Sequence, residues 1–249
     1  MNFYNILPLV TSILYLQAGI FVVALGHRSK PHVFFALLSL AFATYAFGSA
    51  CYIGADSLRH AAFWYRVATP GMRLYPILTL LFFLSLAAET PSVFIRFLSR
   101  PAVLVLLFIL PLILITATFL DPDYFSGFRR FEAGWLNESF PSSGLSMLYL
   151  SYLVGYFILS NLVLVLWRRY TDSMRISRQS ALIQAFSIIM FCLALFTSVV
   201  LPHLAPGGHT PRLISSVPVI WLAGIVYTIL RLRLFLYQSD SSRRLLVSL

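Results

Sequence analysis

The chain has 249 residues, of which 59% are hydrophobic and only 10% charged, and its mean hydropathy is +0.86. These values exclude a soluble globular domain, and no segment is left over that could bury a separate core. The formal net charge of +10 would suit nucleic acid, but the placement of the basic residues excludes that partner.

A helix that crosses about 30 Å of hydrocarbon at about 1.5 Å per residue needs roughly 20 mostly apolar residues. Stretches of that length run over Phe3–Gly26, Val33–Ile53, Ala61–Ala88, Ala102–Phe119, Leu145–Trp167, Ser180–Leu201 and Leu213–Phe235. The expected fold is all-α, a polytopic bundle of seven transmembrane helices within residues 1–236. Residues 237–249 are read as a cytoplasmic tail or the start of a signalling helix. The first span is not a removable signal peptide, because no positive region precedes it and Arg28 and Lys30 follow it.

The connections alternate in charge. Arg28 and Lys30, then Arg96 and Arg100, then Arg168, Arg169, Arg175 and Arg178, then Arg231, Arg233, Arg243 and Arg244 fall on one side. Only Arg59, Arg129, Arg130 and Arg212 fall on the other. The positive-inside bias therefore places the N-terminus outside and the C-terminus in the cytoplasm. The excess charge is a topology signal and a contact for anionic headgroups, not a nucleic-acid surface. Most connections are short, so successive helices are expected to be antiparallel neighbours.

In the second span Ala46, Ala50 and Gly54 recur at four-residue spacing, which suits close helix packing. Cys51 and Cys192 each lie inside a span and are read as reduced thiols.

The third span carries the most unusual residues. It opens with Phe63-Trp64-Tyr65, suited to the outer interface, and continues through Arg66, Pro70, Arg73, Tyr75 and Pro76. Counted from Ala61, Arg66 lies roughly 8 Å and Arg73 roughly 18 Å along the helix. Seven residues are close to two turns, so both arginines share a face. An arginine near mid-membrane costs about 2.5–3.5 kcal/mol on insertion scales and is expected to face protein or a wet cavity. The eight acidic residues all lie outside the span interiors. Arg73 is thus expected to meet neutral groups (Gln17, Ser39, Thr44, Asn161 and Tyr156 are the candidates), water, or a bound anion. A guanidinium grips carboxylate or phosphate bidentately, so an anion site and a structurally satisfied arginine both stand as readings. Pro70 and Pro76 free the carbonyls of Arg66 and Met72, which extends the polar stripe.

Between the fourth and fifth spans, Leu120 to Gly144 forms a long outer loop with Phe128, Phe131, Trp135 and Phe140. Ala133-Gly134 sits at a plausible turn, so the loop is either a short β-hairpin over the bundle mouth or an aromatic interfacial segment. Asn137-Glu138-Ser139 matches a glycosylation acceptor, a triplet common by chance. His203 and His209, beside Gly207-Gly208, lack the further ligands a metal site needs. No cofactor is implied, and retinal is excluded because the only lysine, Lys30, lies in a connection. No catalytic constellation is present, and no inverted repeat points to a transporter.

Several landmarks in order resemble a family. Leu37-Leu38-Ser39-Leu40-Ala41 through Tyr45-Ala46-Phe47-Gly48, then Phe63-Trp64-Tyr65-Arg66 with Gly71, Pro76, Phe82 and Phe83, mark the second and third spans. Arg178-Gln179 precedes the sixth span, and Pro218 leads to Tyr227-Thr228-Ile229-Leu230-Arg231-Leu232-Arg233-Leu234-Phe235. Taken together, the chain is similar to the seven-transmembrane N-terminal sensory region of bacterial histidine kinases. The resemblance implies an outward-open sensory bundle in the bacterial inner membrane, usually dimeric, that signals through its last helix to a cytoplasmic output domain. Arg73 departs from the family pattern, and no kinase domain follows Leu249, so the chain is read as either a truncated protein or a stand-alone module acting through a partner.

The function expected is therefore a non-enzymatic membrane sensor. It is expected to bind an amphiphilic, anionic ligand from the outer side through Arg66 and Arg73, with Tyr65, Tyr75, Trp135 and Trp221 as aromatic walls. A small transporter or lipid-handling protein, and a structural membrane scaffold, are the rival readings.

Overall fold

The computed structural model describes residues 3–24, 29–120, 128–131, 134–137, 144–197 and 215–232. In chain order these form α1 (Phe3–Ala24), α2 (Lys30–Ile53), α3 (Leu58–Leu86), α4 (Val93–Leu98) and α5 (Pro101–Leu120). Strands β1 (Phe128–Phe131) and β2 (Gly134–Asn137) follow, then α6 (Gly144–Arg169), α7 (Met174–Leu195) and α8 (Pro218–Leu232). Six of the helices, α1, α2, α3, α5, α6 and α7, are long and apolar enough to cross a membrane, and α8 contributes a shorter apolar helix. The seven expected spans are thus present in the expected order. The ends of the seventh span, the His203 and His209 pair and the tail from residue 237 lie outside the described residues.

The short helix α4 was not expected. Its six residues are too few to show a hydrophobic period, and the third connection reads from sequence as plain loop. The Ser92 hydroxyl caps it by accepting from the Ile95 amide, while Ile95 and Leu98 are buried against the bundle. Ser57 caps α3 and Ser173 caps α7 in the same way.

Helices α2 and α3 form the tightest pair. A side chain at Gly71 would strike the Ala41 carbonyl and the Tyr45 amide, and one at Gly48 would come within 2.7 Å of the Ala68 methyl. Lipid supplies no hydrophobic drive between helices, so small residues that let backbones approach do much of the holding. Ala46 and Ala50 are buried, and Gly48 and Gly71 stand at close contacts between α2 and α3. Around this pair Phe35, Leu38, Phe42, Phe82, Phe83 and Trp221 close the core. Helix α8 packs on α7 and touches α1, where the Tyr15 hydroxyl donates to the Ser215 carbonyl at 3.1 Å.

Helix α5 is the exception to this packing. Only Pro111, Leu114 and Thr118 of its twenty residues are buried, while Val105, Leu106, Ile109, Leu112 and Ile113 face outward.

The outer loop is the hairpin of the two readings. β1 and β2 pair antiparallel with Phe128 opposite Asn137 and Phe131 opposite Gly134. Gly134 has φ +124°, a conformation that favours glycine, and any side chain there would collide with the Ile53 carbonyl at the end of α2.

Candidate functional site

Arg73 is only 3% exposed, in the middle of the longest helix. Its guanidinium carbon sits 3.6 Å above the ring centre of Tyr149 on α6. A desolvated contact of that kind is worth about 2 kcal/mol. One turn further along α6, the Tyr152 hydroxyl donates to the backbone carbonyl of Arg73 at 2.7 Å. Two tyrosines of one helix therefore hold the side chain and the main chain of the same arginine. The Tyr152 ring continues the row, 6.3 Å from Tyr149 and 4.6 Å from Tyr156.

Most of the expected neutral partners are engaged elsewhere. Thr44 donates to the Leu40 carbonyl, the Asn161 amide to Phe157, and the Tyr156 hydroxyl to Leu107 on α5. Gln17 is exposed, and Ser39 is buried against Gly19 of α1. The residues that do meet Arg73 are Tyr149 and Tyr152. With Tyr156 they fall at i, i+3 and i+7, one face of a helix, but nothing in the sequence turns that face toward Arg73.

Two small cavities adjoin Tyr75, one of them also touching Tyr149, and Arg73 itself lines neither. The outer one, about 30 Å³, is lined by Tyr45, Tyr75, Tyr149, Met190, Ala194 and Pro218. The other, about 40 Å³, lies between α3, α6, α7 and α8, with Thr79, Phe157, Asn161, Met190 and Trp221 among its walls. Tyr75 and Met190 line both. The two spaces thus meet at a common wall below Arg73.

The six residues singled out by sequence fall into two groups. Tyr75 and Trp221 stand at the cavities, Tyr75 with its ring 5.2 Å from Phe42. Trp221 is 1% exposed, and its indole donates to the Ser187 hydroxyl at 2.7 Å. Tyr65 and Trp135 lie further out. The Trp135 indole donates to the Ala55 carbonyl at 2.7 Å, and Arg130 reaches the Asp56 carbonyl at 3.4 Å, so the hairpin is fastened onto the α2–α3 turn. Tyr65 packs edge-on against Tyr52 and Phe128. It also belongs to the small cluster of Tyr45, Ala68, Met72 and Tyr149, and so joins the hairpin to the Arg73 level. Arg66, half-buried, sits two turns outward of Arg73. Among the described residues no three metal-ligating side chains converge.

Residues 7–237 match the family described as the N-terminal 7TM region of histidine kinase. That match begins four residues into α1 and covers every later element. No curated protein and no solved structure matches the chain.

Proposed function

We propose a role for the chain from the family it belongs to, the N-terminal 7TM region of histidine kinases, and from the surroundings of Arg73. The chain is a multi-pass membrane sensor of the bacterial inner membrane that binds an amphiphilic, anionic ligand from the outer side.

The observation that carries this reading is a buried cation against the Tyr149 ring, beside a cavity walled by aromatic side chains. In such low-dielectric surroundings an arriving carboxylate or phosphate gains far more from a guanidinium than it would in water. Arg66 offers a first contact on the way in. Tyr75 and Trp221 supply the apolar walls at depth, and Tyr65 and Trp135 form the outer rim under the hairpin.

Trp221 belongs to α8, the last described helix, and its bond to Ser187 ties that helix to α7. An occupant of the cavity therefore touches the element that leads toward the cytoplasm. A ligand shifts such an equilibrium only by the difference in its affinity for the two packings. The output is a cytoplasmic kinase domain or partner protein, reached in a homodimer.

The test is a thermal-shift screen of the purified protein against fatty acids, anionic lipids and acylated acids, with Arg73→Leu beside the wild type. A ligand at about 100 times its Kd stabilises the folded state by about 2.7 kcal/mol. The expected result is stabilisation of the wild type and not of the variant. Equal stabilisation of both, or of neither, sinks the arginine site.

A further inference from the structure

We infer that the ligand of this site carries, besides its acidic head, a hydrogen-bond donor partway along its apolar chain, received by the side-chain carbonyl of Asn161.

Asn161 lines the deeper cavity. Its amide nitrogen donates to the Phe157 carbonyl at 2.9 Å, which fixes the nitrogen end of the group and leaves Oδ1 as the other. Oδ1 is buried and has no hydrogen-bond partner among the described residues. A buried acceptor away from water is costly unless a donor meets it.

Four of the donors around the same space are already committed. The Trp221 indole goes to Ser187, the Ser187 hydroxyl to the Ile183 carbonyl, the Tyr156 hydroxyl to Leu107, and the Thr79 hydroxyl to Tyr75. The cavity thus presents an acceptor to whatever enters. None of its lining residues is charged, so it suits a chain segment and not the acidic head.

Tyr75 and Met190 stand between this cavity and the one beside Tyr149, on whose ring Arg73 lies, so a single ligand must move these two side chains to occupy both. One molecule can then place its acid at Arg73, pass Tyr75 and Met190, and bring a hydroxyl or amide N–H to Asn161. The ligand class is a medium-chain acid with a mid-chain hydroxyl or amide. The acidic half of this description rests on the function proposed above, and the Asn161 half does not.

The experiment uses the full chain in lipid nanodiscs, with binding read by tryptophan fluorescence. The probes are decanoate, a set of hydroxydecanoates with the hydroxyl moved along the chain, and the methyl esters of the same set. On wild type, one hydroxyl position is expected to bind about tenfold tighter than decanoate, as one buried hydrogen bond allows. Asn161→Leu should erase that preference, so that every hydroxydecanoate binds it no tighter than decanoate does. A flat profile across positions on wild type overturns the inference whether or not the variant folds, as does a preference that survives in Asn161→Leu. If the preference persists in the methyl esters and Arg73→Leu binds the acids as wild type does, Asn161 stands and the anion site falls. If no acid or ester binds, both fall.

Discussion

The Tyr152 hydroxyl of α6 donates to the Arg73 carbonyl of α3 at 2.7 Å. Pro76 lies three residues on and deprives the adjacent Met72 carbonyl of its helical partner. The tyrosine therefore fastens α6 to α3 beside the turn that proline disturbs. Tyr152→Phe is expected to lower stability by about 1 kcal/mol, the net value of a buried hydrogen bond. Thermal unfolding in detergent measures it, and an unchanged midpoint would show that the hydroxyl is dispensable.

Gly71 and Gly155 make opposite predictions for the same substitution. A methyl at Gly71 meets the Ala41 carbonyl and the Tyr45 amide, whereas one at Gly155 has nothing within 4 Å. Gly71→Ala is expected to destabilise by about 1–3 kcal/mol, as overpacking does. Gly155→Ala should be neutral or stabilising by up to about 1 kcal/mol through helix propensity. Unfolding midpoints of the two variants, compared in one detergent, decide the point.

Trp135→Phe keeps a ring under the hairpin but removes the bond to the Ala55 carbonyl. The expected loss is about 1 kcal/mol of local closure, which raises amide exchange in β1 and β2 roughly fivefold without moving the global midpoint. Hydrogen exchange followed by mass spectrometry reads the strand peptide directly. Unchanged exchange there would mean that the Phe128 contacts alone hold the hairpin.

Between α7 and α8 the Trp221–Ser187 bond is wholly buried. Ser187→Ala leaves the indole N–H without its acceptor and should cost about 1–3 kcal/mol. In Trp221→Phe the cost of the hydrogen bond and the cost of the smaller ring combine, so the double variant is the informative one. A double-mutant cycle should show a coupling of about 0.5 kcal/mol or more; a coupling near zero would falsify a direct link between the helices.

The spans were legible because crossing a bilayer is a one-dimensional requirement, met by length and apolarity alone. Arg73 was legible for the same reason, as a charge counted to mid-depth in such a stretch. Its neighbours were not, because Tyr149 and Tyr152 lie more than seventy residues along the chain, and their contact with α3 depends on how helices rotate and pack. Trp135 lies in the loop that the sequence leaves open between a hairpin and an interfacial segment. An aromatic residue near a membrane surface reads as an interfacial anchor, yet here its indole serves as a fastener between a hairpin and a helix turn. α4 went unseen because two buried residues and a serine cap leave almost no pattern in sequence.

Helix α5 is the least buried of the six spans and has the highest hydropathy of them. Its neighbours specify little of it, so the solvent that selects its residues is the acyl chain and not the protein interior. Exchanges among leucine, isoleucine, valine and phenylalanine on its outward face are expected to leave the fold untouched. Through the Tyr156–Leu107 hydrogen bond, this lipid-facing helix is nevertheless tied to the same row of tyrosines that holds Arg73. The span with the fewest protein neighbours thus stands one hydrogen bond away from the row that grips the most buried charge among the described residues.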